Sequence, residues 1–555
     1  MKKITLILSV LTLMAKAQTV NWAKSYGTTN NDMGRTVKVD VSGNSYVGGR
    51  HKPVGATFDE GFIGKYNNSG NLIWSKNFTG YVLVKSLAVD EQNNFVYVTG
   101  QFSYNANFAG VALTASGSLG DVFVAKMDTA GTVLWVKKFG NTNDDCGRAI
   151  CVDNAGNVVI SGYYKSTITF SSTVLPNYTN ETRFLTKLDP SGNVIWAKQI
   201  GTRGNDVSAT QAFYMNNEFS DPNSALESGY GLACDSNNDI FVVGTMGRKA
   251  YFDLISFNYT KSTEFLFLAK FNSSGGSIWV KTSADNYYNV TNLGGLAFDL
   301  SGNIITGGRA DVNSVIGTYT VSNTGGFVTK FDNNGNTLWL TELNYVNGFS
   351  NLYSGCPSGY SVDGSGKPNF IGTFGGNNLT VGTLTLTAPS TEKMFIISLN
   401  PNGTSDWGFA YGQKTTGTMY ENALAVGSNT AGAINITGKF DGSGDAYGTY
   451  TLASVGATDV FNMRINGNIS LGIKQNIVEN NFSIYPNPSN GDFVYFNKQA
   501  FSKNTTITIY NNMLQEINSF SAESGEINTR GLSAGTYFVE LKDGNSRVIK
   551  RLIKN

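Results

Sequence analysis

Short segments of alternating apolar and polar residues, separated by turn residues, run along most of the chain. Phe184-Leu-Thr-Lys-Leu and Val194-Ile-Trp-Ala-Lys are typical, and alternation with a period of two is the pattern of a half-buried β-strand. After the N-terminus, no long stretch has the Ala-, Glu-, Lys- and Leu-rich composition of a helix. The pattern therefore predicts an all-β protein.

All seven tryptophans occupy the same point of one repeated pattern, 52 to 83 residues apart. A repeat of this length holds about four short strands, which is the size of one propeller blade. A phenylalanine stands twelve residues before each of the last six tryptophans, and this constant spacing predicts a hairpin of fixed length. The tryptophans are Trp22, Trp74, Trp135, Trp196, Trp279, Trp339 and Trp407, and the phenylalanines are Phe62, Phe123, Phe184, Phe267, Phe327 and Phe395.

A second hairpin in each repeat is marked by an aspartate with a glycine nine or ten residues later. In the seventh copy, Gly427 stands at the position expected for the aspartate. We expect these aspartates to cap turns rather than to bind calcium, because a calcium site needs several oxygens that converge on one point. The aspartates are Asp40, Asp90, Asp153, Asp235, Asp299 and Asp363.

A lysine recurs three residues after the phenylalanine of the first five copies. Long lysine side chains commonly lie along a surface with their charge in water, so we expect their stems to cover exposed strand surface. The lysines are Lys65, Lys126, Lys187, Lys270 and Lys330.

The two ends of the repeated region complement each other. The first tryptophan segment, Val20 to Tyr26, has no phenylalanine block before it, and the last phenylalanine block, at Phe461, has no tryptophan strand after it. Pairing of these two segments would remove two exposed sheet edges. The pattern resembles the seven-bladed β-propeller repeat of secreted bacterial proteins, and we predict such a propeller over residues 18–468, closed by the N-terminal strand.

Residues 1–17 have the features of a secretory signal peptide. Lys2 and Lys3 precede an apolar run, and Ala15 and Ala17 form a small-x-small cleavage site. No later apolar run is long enough to cross a bilayer, so no transmembrane segment is expected in the mature chain.

After a linker at 469–480, residues 481–555 predict a small β-sandwich with short alternating strands. This segment resembles the type A C-terminal sorting domain of the type IX secretion system. The resemblance implies the secretion machinery as a partner and a secreted or cell-surface location in a Gram-negative bacterium. The matching motif residues are Tyr485, Pro486, Asn487, Pro488, Gly491, Gly535, Tyr537, Lys550 and Arg551.

Charge and cysteine content exclude several classes of function. The net charge is +1 and only 15% of the residues are charged, so no basic surface is expected to attract nucleic acid. Four cysteines are too sparse for a disulfide framework and are expected to be unpaired, half-buried thiols. The single histidine, His51, is expected in a solvated loop, and no metal, cofactor or catalytic set is predicted.

Ligand binding is expected on the face that carries the connections of variable length, because sites are commonly built on loops of a rigid scaffold. The longest connection, 205–229, combines aromatic and acidic side chains suited to carbohydrate. We therefore predict a non-enzymatic binding, adhesion or scaffold module for glycan or protein ligands. The alternatives are an extracellular glycan-degrading enzyme with carboxylates at the channel mouth, and a structural envelope or matrix component. The candidate ligand-binding residues are Phe213, Tyr214, Glu218, Phe219, Asp221 and Glu227.

Overall fold

The structure of the protein is a computed structural model, and it divides into two compact units, Met1–Asn468 and Ile469–Asn555. It describes residues 19–176, 182–201, 231–246, 249–260, 264–286, 288–292, 295–345, 357–374, 378–387, 393–412, 422–440, 443–466, 484–496, 505–511, 516–521, 525–543 and 546–555.

In the described residues of the first unit, all regular secondary structure is β, as the alternating pattern predicts. The described strands form successive antiparallel meanders, most of them of four strands, which we number sheets 1 to 7. Sheet 1 contains β2 (Met33–Val39), β3 (Ser45–His51), β4 (Glu60–Tyr66) and the start of β5 (Leu72–Asp90). Sheet 2 contains the rest of β5 with β6 (Phe95–Phe108), β8 (Asp121–Asp128) and β9 (Val133–Phe139). Sheet 3 contains β10 (Cys146–Val152), β11 (Val158–Tyr164), β14 (Thr182–Leu188) and β15 (Val194–Gly201), and sheet 4 contains β16 (Gly231–Cys234), β17 (Ile240–Met246), β20 (Phe265–Phe271) and β21 (Ser277–Thr282).

The remaining three sheets follow the same order of strands. Sheet 5 contains β22 (Val290–Asn292) and β23 (Ala297–Phe298) as a divided first strand, followed by β24 (Ile304–Ala310), β27 (Gly325–Phe331) and β28 (Thr337–Tyr345). Sheet 6 contains β29 (Pro357–Val362), β30 (Pro368–Phe374), β33 (Lys393–Leu399) and β34 (Ser405–Tyr411). Sheet 7 contains β35 (Asn422–Ser428), β36 (Ala433–Phe440), β39 (Asp459–Asn466) and β1 (Val20–Tyr26).

The N-terminal strand β1 is the outer strand of sheet 7. It pairs antiparallel with β39, with Ala23 opposite Met463 and Tyr26 opposite Val460. The pairing predicted between the first tryptophan segment and the last phenylalanine block is therefore present.

The connections between the second and third strands contain short strands of their own, which were expected as loops of variable length. Two of these connections add strands to the preceding sheet. The first pairs with β15 and extends sheet 3, and the second pairs with β28 and extends sheet 5. These strands are β7 (Val111–Thr114), β12 (Ile168–Phe170), β13 (Thr173–Leu175), β18 (Lys249–Phe252), β19 (Ile255–Asn258), β25 (Val315–Ile316), β26 (Tyr319–Thr320), β31 (Asn378–Val381), β32 (Leu384–Thr387), β37 (Ser443–Tyr447) and β38 (Tyr450–Ala453).

Each of five tryptophans donates a hydrogen bond to a hairpin turn of the next sheet along the chain. The indole Nε1 of Trp22, in sheet 7, donates to the carbonyl of Asn68 in sheet 1 at 3.0 Å, and that of Trp74 donates to Thr129 in sheet 2 at 3.0 Å. Trp135, Trp196 and Trp339 make the equivalent bonds to Pro190, Ser273 and Pro401. The tryptophans therefore join neighbouring sheets.

The recurrent lysines are buried, so the expectation that they cover exposed surface is wrong for four of the five. Lys126, Lys187, Lys270 and Lys330 are 4–8% exposed, and Lys65 is half-buried. The ammonium group of Lys187 is 2.7 Å from the Asp153 carboxylate and donates to the Ser273 carbonyl in the next sheet. A buried charge is retained where it is paired and hydrogen-bonded, and here the pair links both hairpins of one sheet to the next sheet.

The aspartates of the second hairpin cap their turns, as predicted. In sheet 3, Asp153 accepts hydrogen bonds from the backbone N–H groups of Ala155 and Asn157, each at 2.9 Å. In sheet 7 the cap is Asn429, which accepts from Ala431 and Ala433. The assignment of Gly427 to this position is therefore wrong, because an asparagine two residues later makes the same turn with the usual nine-residue spacing to Gly438.

The second unit consists of two antiparallel sheets that share one apolar core. One contains β40 (Ile484–Tyr485), β41 (Phe493–Phe496) and β44 (Glu526–Asn528), and the other contains β42 (Thr506–Tyr510), β43 (Glu516–Ser521), β45 (Gly535–Asp543) and β46 (Ser546–Lys554). Ile484 and Val494 of the first sheet pack with Ile507, Val539 and Leu552 of the second. This arrangement agrees with the predicted sandwich.

Candidate functional site

A cavity of about 80 Å³ is lined by residues from all seven sheets. Sheets 1 to 4, 6 and 7 contribute residues of their first strand, and sheet 5 contributes the segment between β22 and β23. Meanders that surround a shared central channel are the architecture of a β-propeller. We call this cavity the channel. Its described lining residues are Arg35, Thr36, Val37, Lys38, Lys85, Ser86, Arg148, Ala149, Ile150, Leu232, Gly295, Leu296, Gly359, Tyr360, Ala425 and Val426.

A β-bulge recurs at the same place in the first strand of five sheets. The extra residue stands five positions before the residue that caps the following turn, and a bulge of this kind changes the direction of a side chain. In sheets 1, 2 and 3 the bulge residue is a basic residue that lines the channel, and Lys38 of sheet 1 lines it as well. The bulge residues are Arg35, Lys85, Arg148, Ser358 and Leu424.

These three cations, Arg35, Lys85 and Arg148, are called the bulge cations below. Arg35 and Arg148 are 4% and 3% exposed, and Lys85 is half-buried. Enclosure in the channel, together with the neighbouring charges of Arg35 and Arg148, lowers the pKa of Lys85 well below its usual value. On sheets 4 to 7, the described residues that line the channel are apolar residues, glycines and one tyrosine, Tyr360. The positive charge of the channel is therefore concentrated on sheets 1 to 3.

A wider cleft of about 450 Å³ opens beside sheets 7, 1 and 2. We call it the aromatic cleft. Polar side chains form much of its surface, and Phe58 and Tyr81 form an aromatic wall. The described lining residues are Thr29, Asn30, Asn31, Arg50, Lys52, Thr57, Phe58, Asp59, Tyr81 and Ala457.

The aromatic wall continues beyond the cleft to Tyr104. The rings of Phe58 and Tyr104 stack with centroids 5.2 Å apart at an interplanar angle of 22°, and Tyr81 meets Phe58 edge-on at 6.1 Å. Phe58 and Tyr104 are 38% and 47% exposed. Phe58 lies between β3 and β4, whereas Tyr81 and Tyr104 lie in β5 and β6, within the sequence intervals whose length varies between repeats.

Charged groups connect the aromatic cleft to the channel. Arg50 lines the cleft in an ion pair with Asp59, and its charge also contributes to the lowered pKa of Lys85 in the channel. Burial raises the pKa of Tyr81, and the Arg50 and Arg35 charges oppose that increase.

Buried aspartates hold the connections between neighbouring sheets in place. Asp145 accepts hydrogen bonds from the backbone N–H groups of Asn141 at 2.9 Å and Lys165 at 3.2 Å. Asp32, at the same position of sheet 1, accepts from Lys52 at 2.9 Å. Burial raises the pKa of Asp145 to about 7, and the nearby Asp121 carboxylate adds to the increase.

The Asp145→Asn variant should lose a stability component that depends on pH. Because folding raises the pKa of Asp145 from about 4 to about 7, protonation favours the folded chain. The contribution is fully present below pH 4 and is lost as the pH rises through 7. We expect the free energy of unfolding of the wild type to fall by an extra 2–4 kcal/mol, on the order of the shift itself, between pH 4 and 8.

Thermal unfolding of both proteins across this pH range measures the difference. Asp189→Asn is the control, because Asp189 lies in an exposed turn and hydrogen bonds lower its pKa, so its contribution changes mainly below pH 4. Parallel wild-type and Asp145→Asn curves would contradict the expected result.

None of the six predicted ligand-binding residues lies in the part of the chain that the structure describes. Phe213, Tyr214, Glu218, Phe219, Asp221 and Glu227 lie outside the described residues, as do the signal-peptide residues Ala15 and Ala17.

His51 and the cysteines can be placed in part. His51 ends β3 rather than lying in a solvated loop; its side chain is 19% exposed, its Nε2 is 3.7 Å from Glu60, and burial lowers its pKa. Cys146, Cys151 and Cys234 are free, and the first two are buried rather than half-buried. Across the part of the chain with described coordinates, no three potential ligands converge on a metal position.

Two of the sorting-motif residues, Asn487 and Gly491, are hydrogen-bonded to the end of β46 in the second unit. The Asn487 side-chain oxygen accepts a hydrogen bond from the Ile553 N–H at 2.9 Å, so the Tyr-Pro-Asn-Pro segment is attached to the basic final strand β46. Gly491 accepts bonds at its carbonyl from Thr529 and Lys554. Tyr537, in β45, donates to the Ser533 carbonyl at 2.9 Å, and Tyr485 is 52% exposed.

Comparison with known proteins confirms the sorting domain. Residues 483–555 match the family described as the secretion system C-terminal sorting domain. Such a domain directs export by the type IX secretion system, so the chain is secreted or held at the cell surface. No helix within the described ranges has the length and apolar character needed to cross a membrane.

The propeller unit has more distant relatives. The chain is 24% identical over 376 residues to an uncharacterized WD repeat-containing protein, L264, of Acanthamoeba polyphaga mimivirus; the match covers 58% of this chain and 26% of that protein. The chain therefore spans about a quarter of the length of that relative.

Among solved structures, the chain is similar to the Dos1 propeller, with 10% identity, coverage of 81% of this chain and 95% of that one, and a TM-score of 0.36. An acylaminoacyl peptidase of Pyrococcus horikoshii has 8% identity, coverage of 75% and 50%, and a TM-score of 0.36. A gluconolactonase of Xanthomonas campestris has 11% identity, coverage of 70% and 90%, and a TM-score of 0.30. Similarities at this level carry no inference about activity.

Proposed function

We propose that the chain is an exported, non-enzymatic glycan-binding module, built as a seven-bladed propeller that β1 closes. The closure is supported by the pairing of β1 with β39 and by the Trp22 hydrogen bond to sheet 1. The domain limits follow the sequence: a signal peptide at 1–17, the propeller at 18–468, a linker at 469–480 and the sorting domain at 481–555.

The observation that carries the glycan proposal is the exposed aromatic wall of the cleft. A sugar ring presents C–H groups on its faces and hydroxyls at its edge, so it stacks on an aromatic face while polar groups bind its hydroxyls. The stacked rings of Phe58 and Tyr104 offer such a face, and Asn31, Lys52 and Asp59 supply polar groups beside it. The 205–229 connection remains a second predicted contact.

The glycan-degrading alternative requires a pair of carboxylates at the channel mouth. The described residues that line the channel supply cations instead, and the one carboxylate of the cleft, Asp59, is paired with Arg50. The structural alternative predicts no saturable ligand, so the binding experiment separates it from the proposal.

Alanine at both Phe58 and Tyr104 should weaken glycan binding by tenfold or more, about 1.4 kcal/mol, because the stacking surface is lost. The measurement is binding of the purified mature chain to immobilised polysaccharides, identified first in a screen with the wild type. Tyr288→Ala removes a ring that is 36% exposed and does not line the cleft, and it should leave binding unchanged. Equal binding by the double variant and the wild type would refute the assignment of this cleft.

A further inference from the structure

A further cavity, of about 220 Å³, lies between sheets 4 and 5 and shares no described lining residue with the aromatic cleft or the channel. We call it the inter-sheet cavity. Its lining is mainly apolar, with Leu266 and Leu268 from β20, Ile316 from β25 and Phe331 from β27. Protein interiors have few voids larger than a water molecule, so the space at this junction needs a physical explanation.

The residue that precedes the turn of the short hairpin in each connection explains the space. In sheets 2, 3, 4 and 7 this residue is aromatic, and its ring packs on the recurrent phenylalanine of the third strand with centroids 4.8–5.3 Å apart. In sheet 5 the same position holds Ile316, which pairs with Tyr319 across the turn and has a smaller side chain. The four aromatic residues are Phe108, Phe170, Phe252 and Tyr447.

Sheet 6 fills the same region in another way. Its short hairpin has Val381, but Phe374, at the end of the second strand, packs on the recurrent Phe395 with ring centroids 6.0 Å apart. The residue of sheet 5 that corresponds to Phe374 is Ala310, two positions after the conserved-register glycine in both sheets. Ala310 and Ile316 belong to one apolar cluster between sheets 4 and 5. Sheet 5 therefore has no ring at either position, although the fold accommodates one.

One polar group of the inter-sheet cavity is available to a ligand. Thr337 lines the cavity, and its buried Oγ1 has no hydrogen-bond partner among the described residues. Two other polar lining residues are already engaged, Thr282 with the Tyr259 hydroxyl and Asn336 with the Asp332 carboxylate, the latter at 2.9 Å. A buried hydroxyl without a partner is costly, and an acceptor on a bound molecule would remove that cost.

We propose that the inter-sheet cavity binds a small neutral molecule with an apolar body and one oxygen that accepts a hydrogen bond from the Thr337 hydroxyl. Such a site has the usual composition of a small-molecule pocket, mostly apolar with few polar groups. A dry apolar cavity of about 150 Å³ binds benzene, so in the same proportion about 220 Å³ holds about nine non-hydrogen atoms. Lys281 also lines the cavity, but it is an exposed residue whose ammonium group can stay in water, so we assign no charge to the ligand.

Titration calorimetry of the purified mature chain tests the proposal with 1-octanol and 2-phenylethanol, a flexible and a ring-containing alcohol of this size. At least one should bind saturably at a single site, with a dissociation constant in the micromolar to millimolar range expected for so few atoms. 1-Decanol should bind no more tightly than 1-octanol, because the cavity is already full. Affinity that keeps rising with chain length, tighter binding of octanoate than of 1-octanol, or binding of neither alcohol would overturn the proposal.

Two variants locate the site. Ile316→Phe restores the ring that sheets 2 to 4 carry, so it should reduce binding tenfold or more without lowering the unfolding temperature. Thr337→Val introduces the residue that sheets 2 and 3 have at this position, Val133 and Val194, and should weaken binding about fivefold through the lost hydrogen bond. Ser277→Ala removes the hydroxyl at the same position of sheet 4, outside the cavity lining, and should have no effect.

The two substitutions keep the proposal testable together. If Ile316→Phe does not fold, Thr337→Val still measures the contribution of the hydroxyl. Wild-type affinity in every folded variant of this pair would overturn the assignment. The Phe58 and Tyr104 double variant should bind the alcohols as the wild type does, because the aromatic cleft is a separate site. Failure of glycan binding and failure of alcohol binding are therefore distinguished.

Discussion

Replacing Gly162 with alanine should destabilise the propeller by about 3 kcal/mol, because the new methyl group would meet backbone that cannot move aside. A Cβ at this position would lie 2.0 Å from the Cys146 carbonyl oxygen and 2.7 Å from two atoms of the Phe184 ring. Gly162 pairs with Gly147, directly beside the bulge at Arg148. Gly49 and Gly100 have the same close approach, to the carbonyls of Met33 and Leu83.

Urea unfolding of the purified chain measures this cost. Gly359→Ala is the matched control, since its Cβ would meet only the ends of the Ile371 and Val426 side chains at 3.3–3.5 Å. The control should lose much less stability. Equal losses at both positions would contradict the steric explanation.

The repeat could be predicted from the sequence because its signals are local. The distance from each phenylalanine to the next tryptophan is set by one hairpin, and the residue that caps a turn lies within four positions of the N–H groups it binds. The pairing of Val20–Tyr26 with the last phenylalanine block followed from the same register. Asn429 was missed because an asparagine replaces the aspartate there, and its side-chain oxygen caps equally well.

The environment of the lysines could not be predicted from their spacing. Lys187 is buried because three different segments meet around it: its own strand, the Asp153 turn and the Ser273 turn of the next sheet. Contacts between sheets depend on how the sheets pack, and neither propensity nor alternation specifies that packing.

The aromatic cleft and the channel differ in how far the sequence could have revealed them. Phe58 lies in a connection and Tyr81 and Tyr104 lie in two different strands, at unrelated positions of the repeat, so only the folded chain brings their rings together. The bulge cations had a signal in the sequence, since Arg35, Lys85 and Arg148 each stand five residues before a capping aspartate. Periodicity did not show which side of the strand they occupy, because a bulge interrupts the alternation.

Replacing Arg464 with methionine should cost about 3 kcal/mol and should loosen the N-terminal strand specifically. Arg464 is 2% exposed and occupies in sheet 7 the position that lysine holds in sheets 1 to 5. Its guanidinium donates to the Asn435 side chain at 2.8 Å, to the Asn68 carbonyl at 3.1 Å and to the Gly43 carbonyl, so it joins sheet 7 to both hairpin turns of sheet 1. Methionine has a similar length but leaves these buried acceptors without their charged donor.

Hydrogen exchange should locate the effect at the junction of the two chain ends. The guanidinium lies over the Trp22 ring, 5.7 Å from its centroid, and burial lowers its pKa to about 10, so it stays charged at neutral pH. Arg464→Met should therefore increase exchange of the Val20–Tyr26 amides. Lys330→Met, the matched change in sheet 5, should destabilise its own junction and leave those amides protected. Arg464→Lys should keep most of the stability, because lysine makes the equivalent bond in the other sheets. Unchanged protection of Val20–Tyr26 in Arg464→Met would mean that β1 is held by its strand pairing alone.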